Sequence, residues 1–206
     1  MCKAAKRGAM FLAACREDRS PLADQKTDRT VIVALTGFMG SGKTMAGRAL
    51  AALLGWEFVD LDEMIEQREG VRVREIFAQR GEAEFRKLEH MALEEFVSGC
   101  AKPTVVALGG GTFVQPQNEA ILNQSHVRSV FLDVAVDEML RRCNEDDREV
   151  EENPRPLAQD AERFRRMYED RQPHYRRASV TLNASGKDPD EVARAIAEVL
   201  QLTAAE

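Results

Sequence analysis

Gly37-Phe38-Met39-Gly40-Ser41-Gly42-Lys43-Thr44 fits the phosphate-loop pattern G-x-x-x-x-G-K-[ST] at every fixed position. Such a loop needs glycines because successive backbone N–H groups must turn inward around a phosphate, where Cβ atoms would collide. Lys43 carries a mobile positive charge toward the β- and γ-phosphates, and the hydroxyl of Thr44 suits Mg²⁺. Gly40, Ser41, Gly42, Lys43, Thr44 and Met45 are therefore the candidate nucleotide-binding residues of the loop. Two further groups have chemistry to offer: the acids of Asp60-Leu61-Asp62 and the side-chain-free run Gly109-Gly110-Gly111.

The flanking elements make the loop specific. Thr30 to Thr36 is a β-branched run suited to a parallel strand covered on both faces. Met45 to Leu54 has helical spacing, and Gly55 stands where a helix C′ glycine belongs. The spacing then predicts a strand over Trp56 to Asp60 and a short helix over Glu63 to Arg68, capped by Asp62 and ended by Gly70. A helix over Val73 to Arg80 stops at Gly81. A longer one over Glu82 to Val97 carries Phe85, Leu88, Met91, Ala92 and Phe96 as its apolar stripe. Strand Thr104 to Leu108 runs into the triple glycine, followed by helix Gln117 to Gln124, strand Ser129 to Leu132 and helix Val136 to Arg142. Cys143 to Pro156 is polar, acidic and proline-bounded, and reads as a loop; helix Asp160 to Arg171, strand Ser179 to Leu182 and helix Pro189 to Leu202 complete the chain. Five strands alternating with helices indicate an α/β fold, a parallel sheet with helices on both faces. Ligands of such sheets collect outside the carboxyl ends of the strands. The phosphate loop, Asp60, Asp62 and Gly109 to Gly111 all follow strand ends, so they are expected to share one crevice.

At 206 residues the chain suits a single α/β domain, read here as residues 29–206. A formal charge of −6, with no dense Lys/Arg run, argues against nucleic acid as a partner. No apolar stretch approaches the ~20 residues of a membrane span, so no membrane partner is expected. Cys2, Cys15, Cys100 and Cys143 are scattered without a C-x-x-C pair, which suits reduced thiols in the cytoplasm. Residues 1–28 contain Lys3, Lys6 and Arg7 ahead of the apolar Met10 to Cys15, but that piece falls short of the ~7–15 residues of an export signal, and Arg16-Glu17-Asp18-Arg19 follows at once. We read this stretch as a mobile polar leader.

The order of motifs resembles that of shikimate kinases: the phosphate loop, Asp60-Leu61-Asp62, Gly81-Glu82-x-x-Phe85-Arg86-x-x-Glu89, Gly109-Gly110-Gly111, Arg155-Pro156-Leu157 and Arg171-x-Pro173-x-Tyr175. The likeness spans roughly residues 30 to 202, and the acid pair, FRxxE and triple glycine together are far more selective than the loop alone. The resemblance implies a P-loop kinase fold with a flexible lid at about residues 143–157, ATP and shikimate as substrates, Mg²⁺ as cofactor, and, we expect, a monomer. It implies that Asp60 holds Mg²⁺ through water together with Thr44, and that Asp62 binds the substrate hydroxyls and takes the proton of the one that attacks. Arg86 and Arg171 would clamp the shikimate carboxylate, and Gly109, Gly110 and Gly111 would approach the ring with backbone N–H groups. Lid Arg155 would swing over the transferring phosphoryl group. Arg142 would stack on adenine, near the turn Asn183 to Pro189. The chemistry is coherent beside the likeness, because a loose phosphoryl-transfer transition state asks for positioning and positive charge, which Lys43, Mg²⁺ and Arg155 would supply. Bidentate arginines suit a planar carboxylate better than lysine does.

Each residue also has a plainer reading. Asp60 and Asp62 are equally suited to end a strand and cap a helix. Arg86 is spaced to pair with Glu82 or Glu89, and Glu89 is expected to steady Arg86 rather than touch substrate. Phe77 and Phe85 read as core residues with edges in the pocket, while His90, His126 and His174 lack the clustered partners of a site. Arg141, Arg163, Arg165 and Arg166 read as solvated helix faces. The lid departs from the family in length and acidity: Glu145, Asp146, Asp147, Glu149, Glu151 and Glu152 stand against Arg148 alone before Arg155. Those carboxylates are expected to face solvent, with Arg148 or Arg155 turning inward. Two other activities stay open at this level: a sugar-acid kinase acting on a substrate such as gluconate, and an ATP-binding regulatory module without catalysis.

Overall fold

The computed structural model describes residues 31–149 and 160–204. The leader and Arg155 lie outside the described residues, as do positions 150–157 of the expected lid. Five parallel strands form one sheet in the order β2-β3-β1-β4-β5: β1 (Ile32–Thr36), β2 (Glu57–Asp60), β3 (Thr104–Ala107), β4 (Val127–Asp133) and β5 (Val180–Asn183). The period-two alternation of β1 splits the core. Val33 and Leu35 face a cluster with Leu50, Leu54, Phe164 and Ile196, while Ile32 and Ala34 face one with Leu61, Ile65, Leu93 and Leu122. Both faces are thus covered by helices, as a parallel sheet of apolar strands demands.

The first face carries α1 (Lys43–Leu54), α7 (Ala161–Tyr175) and α8 (Pro189–Leu200), with α6 (Val136–Glu149) beside them. The second carries α2 (Leu61–Glu69), α3 (Val73–Arg80), α4 (Glu82–Gly99) and α5 (Pro116–Leu122). Gly55 and Gly70 end α1 and α2 in the left-handed conformation, as expected of C′ glycines. Among the described residues, no helix is long and apolar enough to cross a membrane.

Four expectations need correction. The cap of α2 is Asp60, whose Oδ1 accepts from the N–H groups of Asp62 and Glu63; Asp62 lies within the first turn and its side chain is left for other work. The buried positions of α4 are Phe85, Glu89, Ala92, Leu93 and Val97, whereas Met91 is 49% exposed. The apolar stripe is therefore interrupted by a buried acid. Helix α6 does not stop at Arg142 but runs to Glu149 through what was expected to be loop. No proline or glycine interrupts residues 136–149, and Arg141 pairs with Glu145 one turn on. Finally, α7 continues past Arg171 and through Pro173 to Tyr175, whose ring stacks on Phe131 with centroids 5.3 Å apart. Packing of this buried aromatic offsets the hydrogen bond that proline cannot donate.

Helix α1 crosses the sheet closely at Gly47, where an added Cβ would lie 2.5 Å from the Phe58 ring and 3.3 Å from Leu35. Gly47→Ala is expected to destabilise the fold by about 1–3 kcal/mol through overpacking. Urea unfolding should show a lower midpoint with an unchanged slope.

Candidate active site

Adjacent parallel strands β1 and β3 deliver the phosphate loop and the triple glycine side by side, with Gly110 facing Gly37 and Met39. The loop is held from behind: at Gly40 (φ +75°) a Cβ would stand 2.5 Å from the carbonyl oxygen of Met139 and 2.8 Å from Sγ of Cys143, so only glycine lets α6 pack there. Gly42 caps α1, which aims the helix N-terminus at the space the loop encloses. Lys43 Nζ donates to the Phe38 carbonyl at 2.9 Å and to Ser41 Oγ at 3.4 Å. Met45 begins the exposed side of α1.

Two acids leave β2 in different surroundings. Asp60 gives one oxygen to the α2 cap and the other to Thr44 Oγ1 at 2.8 Å. A hydroxyl and a carboxylate at that separation form a hard oxygen pair suited to Mg²⁺, which completes its shell with water and phosphate. Among the described residues, no group of three or more His, Cys, Asp or Glu is placed to hold a metal by itself. The neighbouring Asp62 has a buried Oδ1 without a hydrogen-bond partner among the described residues. Burial, then the negative charges of Asp60 and Glu89, push its carboxyl up to about 6 against the pull of Lys43 and Arg86. Asp62 thus stands within the field of both the loop lysine and the α4 arginine.

Arg86 is 13% exposed and donates from Nη1 to Glu89 at 2.9 Å and from Nη2 to Glu82 at 3.1 Å. Burial works against its charge, but Glu89 outweighs that and holds the guanidinium more firmly protonated than usual. The rings of Phe77 and Phe85 lie against it, at 5.8 and 5.3 Å. On its other side the guanidinium fills the place a Cβ on Gly111 would take. Gly109 is crowded in the same way, its would-be Cβ 2.8 Å from Asp62 Oδ1 and 2.9 Å from Glu89 Oε1. Arg171 reaches the run from α7, Nη1 donating to the Gly110 carbonyl at 3.3 Å, and Tyr175 OH donates to the same oxygen. Burial pushes the Tyr175 hydroxyl up to about 12, so it stays a donor. The Gly110 carbonyl is therefore the point where two α7 side chains tie the loop down. The structure brings Lys43, Thr44, Asp60, Asp62, Arg86, Arg171 and Gly109 to Gly111 to one end of the sheet.

Arg142 lies across the phosphate loop from these, Nη1 at 3.4 Å from the Gly40 carbonyl and Nη2 at 2.5 Å from Glu138. Glu138 in turn accepts from Gly186 N at 3.1 Å, linking Arg142 to the Asn183 to Pro189 turn. Sequence reasoning missed Glu138, although its i,i+4 spacing to Arg142 was visible. It also missed the 3₁₀ turn Thr112–Val114 and the buried Asn118, for which no signal stood in the sequence.

A parallel sheet carrying a phosphate loop, with an acid pair and two arginines around a glycine backbone, defines a P-loop kinase of small molecules. Comparison narrows the class. The shikimate kinase family matches residues 39–201. The shikimate kinase of Moorella thermoacetica is 39% identical over 171 residues, covering 82% of this chain and 94% of that protein. That of Synechococcus elongatus is 40% identical over 81% of this chain and 84% of its own. Among solved structures, shikimate kinase from Acinetobacter baumannii in complex with shikimate superposes with a TM-score of 0.75 at 34% identity, over 85% of this chain and 96% of that one. The enzyme from Bacteroides thetaiotaomicron gives 0.73 at 33%, over 84% and 99%. The chain belongs to the shikimate kinase family and is an ATP-dependent kinase.

The crowding at Gly109 gives a direct check. Gly109→Ala drives a methyl into two carboxylates, and a shift on the order of 1 Å at a reacting group can cost ~100-fold in rate. We expect turnover to fall by about that factor while affinity for a non-hydrolysable ATP analogue, read by calorimetry, stays unchanged.

Proposed function

We propose that this chain transfers the γ-phosphoryl group of ATP to the 3-hydroxyl of shikimate, giving shikimate 3-phosphate and ADP. The observation that carries the reading is the position of Asp62: beside Gly109 and in the field of both Lys43 and Arg86. An alcohol held there would face the nucleotide's terminal phosphorus, and an acid on the same molecule would be within the grasp of arginine.

Arg86 and Arg171 take the carboxylate of shikimate, and the 109–111 backbone lies along the ring, where side chains would exclude it. Asp62 accepts the proton of the 3-hydroxyl as its oxygen bonds to the γ-phosphorus and the bond to the β–γ bridging oxygen breaks. The proton passes to the carboxylate and ADP leaves with the electron pair. A carboxyl raised by burial is better matched to that proton than an ordinary one. Thr44, and Asp60 through water, would hold Mg²⁺, which when bound neutralises charge on the phosphate oxygens. Lys43 supplies positive charge to the phosphoryl group as it moves, and so does Arg155, which lies outside the described residues. Arg142 stacks on adenine beside the Asn183 to Pro189 turn. We propose that it works as a monomer, and the scattered cysteines suit the cytoplasm.

ADP release measured with shikimate and with a panel of sugar acids tests the substrate: release must be strong with shikimate and weak with gluconate, and the reverse would reassign it. Asp62→Asn should lower kcat by about 100-fold or more, the scale of a lost general base. Full activity in that variant would remove Asp62 from its role. Arg86→Lys should raise the KM for shikimate about tenfold with the KM for ATP unchanged, because lysine cannot reproduce a bidentate grip. Between the two lid arginines, Arg155→Ala should abolish most turnover and Arg148→Ala should not; the opposite result would assign the phosphates to Arg148.

A further inference from the structure

Behind Arg86 runs a chain of buried polar groups. Glu89 has no exposed surface, and neither have Thr112 and Asn118. Oε2 of Glu89 accepts from Arg86 Nη1, and Oε1 accepts from the Thr112 hydroxyl. Asn118 Nδ2 donates to the Thr112 carbonyl at 2.9 Å, and its Oδ1 lies 2.7 Å from His90 Nδ1 on α4. An amide oxygen has no proton to give, so the hydrogen of that last bond belongs to His90. Asn118 thereby clips the 3₁₀ turn to α4, and the turn holds the Thr112 hydroxyl against Glu89.

A glutamate carboxyl rotates easily about its last torsion, where the energy wells are broad. One partner, Arg86, would not fix it. With Thr112 on Oε1, the carboxylate offers a single oxygen to Nη1, and the Nε of Arg86 is left buried with no hydrogen-bond partner among the described residues. Without that hydroxyl, Oε1 gains most by turning onto Arg86, where it would compete with Glu82 for Nη2 and take up guanidinium donors that an incoming acid needs.

We propose that Thr112 is a positioning residue for the acid-binding arginine: its hydroxyl, held by Asn118, fixes Glu89 so that Arg86 keeps an edge for the substrate carboxylate. This rests on the reading of Arg86 as a carboxylate clamp. Thr112 is fully buried and acts through Glu89. The FRxxE spacing alone does not carry this arrangement, since the deciding donor sits 23 residues away in sequence.

Steady-state kinetics of Thr112→Ala and Thr112→Ser provide the test, since both lose the methyl and only alanine loses the hydroxyl. Thr112→Ala should raise the KM for shikimate about tenfold, the scale of one hydrogen bond to a charged group, with kcat and the KM for ATP within about twofold. Thr112→Ser should stay near the parent. In an Arg86→Ala background, Thr112→Ala should add nothing to the shikimate KM, because the two act through one contact. Equal behaviour of the alanine and serine variants, a loss shared by ATP, or an undiminished effect in the Arg86→Ala background would each overturn the proposal. If Arg86→Ala itself leaves the shikimate KM untouched, the clamp reading fails and takes the proposal with it; if Arg86→Ala raises that KM and Thr112→Ala does not, only the proposal fails. Should Thr112→Ala not fold, Thr112→Val fills the same space without a hydroxyl and is judged by the same criteria.

Discussion

A fully buried carboxylate, that of Glu89, is the constraint around which this end of the molecule is built. Removing such a charge from water costs several kcal/mol unless good hydrogen bonds replace the lost hydration. Arg86 and Thr112 provide them, one from the same helix and one from the turn after β3. The pair therefore does more than neutralise itself: it ties α4 to the segment leaving β3. It also fixes where the guanidinium lies, flat against the backbone at Gly111. A larger residue at Gly111 would displace the arginine, and one at Gly109 would displace both Asp62 and Glu89. Two of the three glycines are thus required by neighbouring charges, before any substrate is considered.

Long-range placement follows from the sheet. The register of β1 against β3 pairs Leu35 with Ala107, so the phosphate loop and the triple glycine emerge at the same level. That of β2 against β3 pairs Asp60 with Ala107, which brings the acids to that level as well. Three sequence-distant segments meet because three strands end together, and the apolar alternation that buries both faces is what holds this register. The fourth contribution, from α7, is anchored differently. Tyr175 stacks on Phe131 in the core, and its hydroxyl and Arg171 both meet the Gly110 carbonyl.

Much of this was legible in the chain, for a physical reason in each case. A phosphate loop must carry glycine, lysine and threonine at fixed spacing, and strands buried on both faces must be apolar, so the fold class and the loop could be read directly. What could not be read were competitions decided by tertiary contacts. Asp60 and Asp62 are equal candidates for a cap by propensity; only the path of β2 gives the role to Asp60. Glu89 reads as a partner that steadies Arg86, but its full burial and its bond to Thr112 are not legible, and Met91 reads as a core residue although it is half exposed. Pro173 reads as a helix stop, and the burial of Tyr175 overrides it. Asn118 gives no periodic or motif signal at all, because its function is to satisfy a carbonyl that sequence does not reveal to be buried.

The two acids where β2 meets α2 lie in different surroundings. Asp60 sits at the N-terminus of α2 and receives hydrogen bonds from Thr44, Asp62 N and Glu63 N. Those hydrogen bonds fix the carboxylate in place beside the phosphate loop. Two residues on, Asp62 Oδ1 has burial and two neighbouring negative charges instead of donors, and is raised to about 6. That environment makes a carboxylate readier to accept a proton, and Lys43 and Arg86 keep it from being neutralised outright. Had Asp62 been the cap, as its sequence position suggested, the same donors would have quieted it. The assignment of the cap to Asp60 is therefore what leaves Asp62 Oδ1 without a donor, two residues further along the chain.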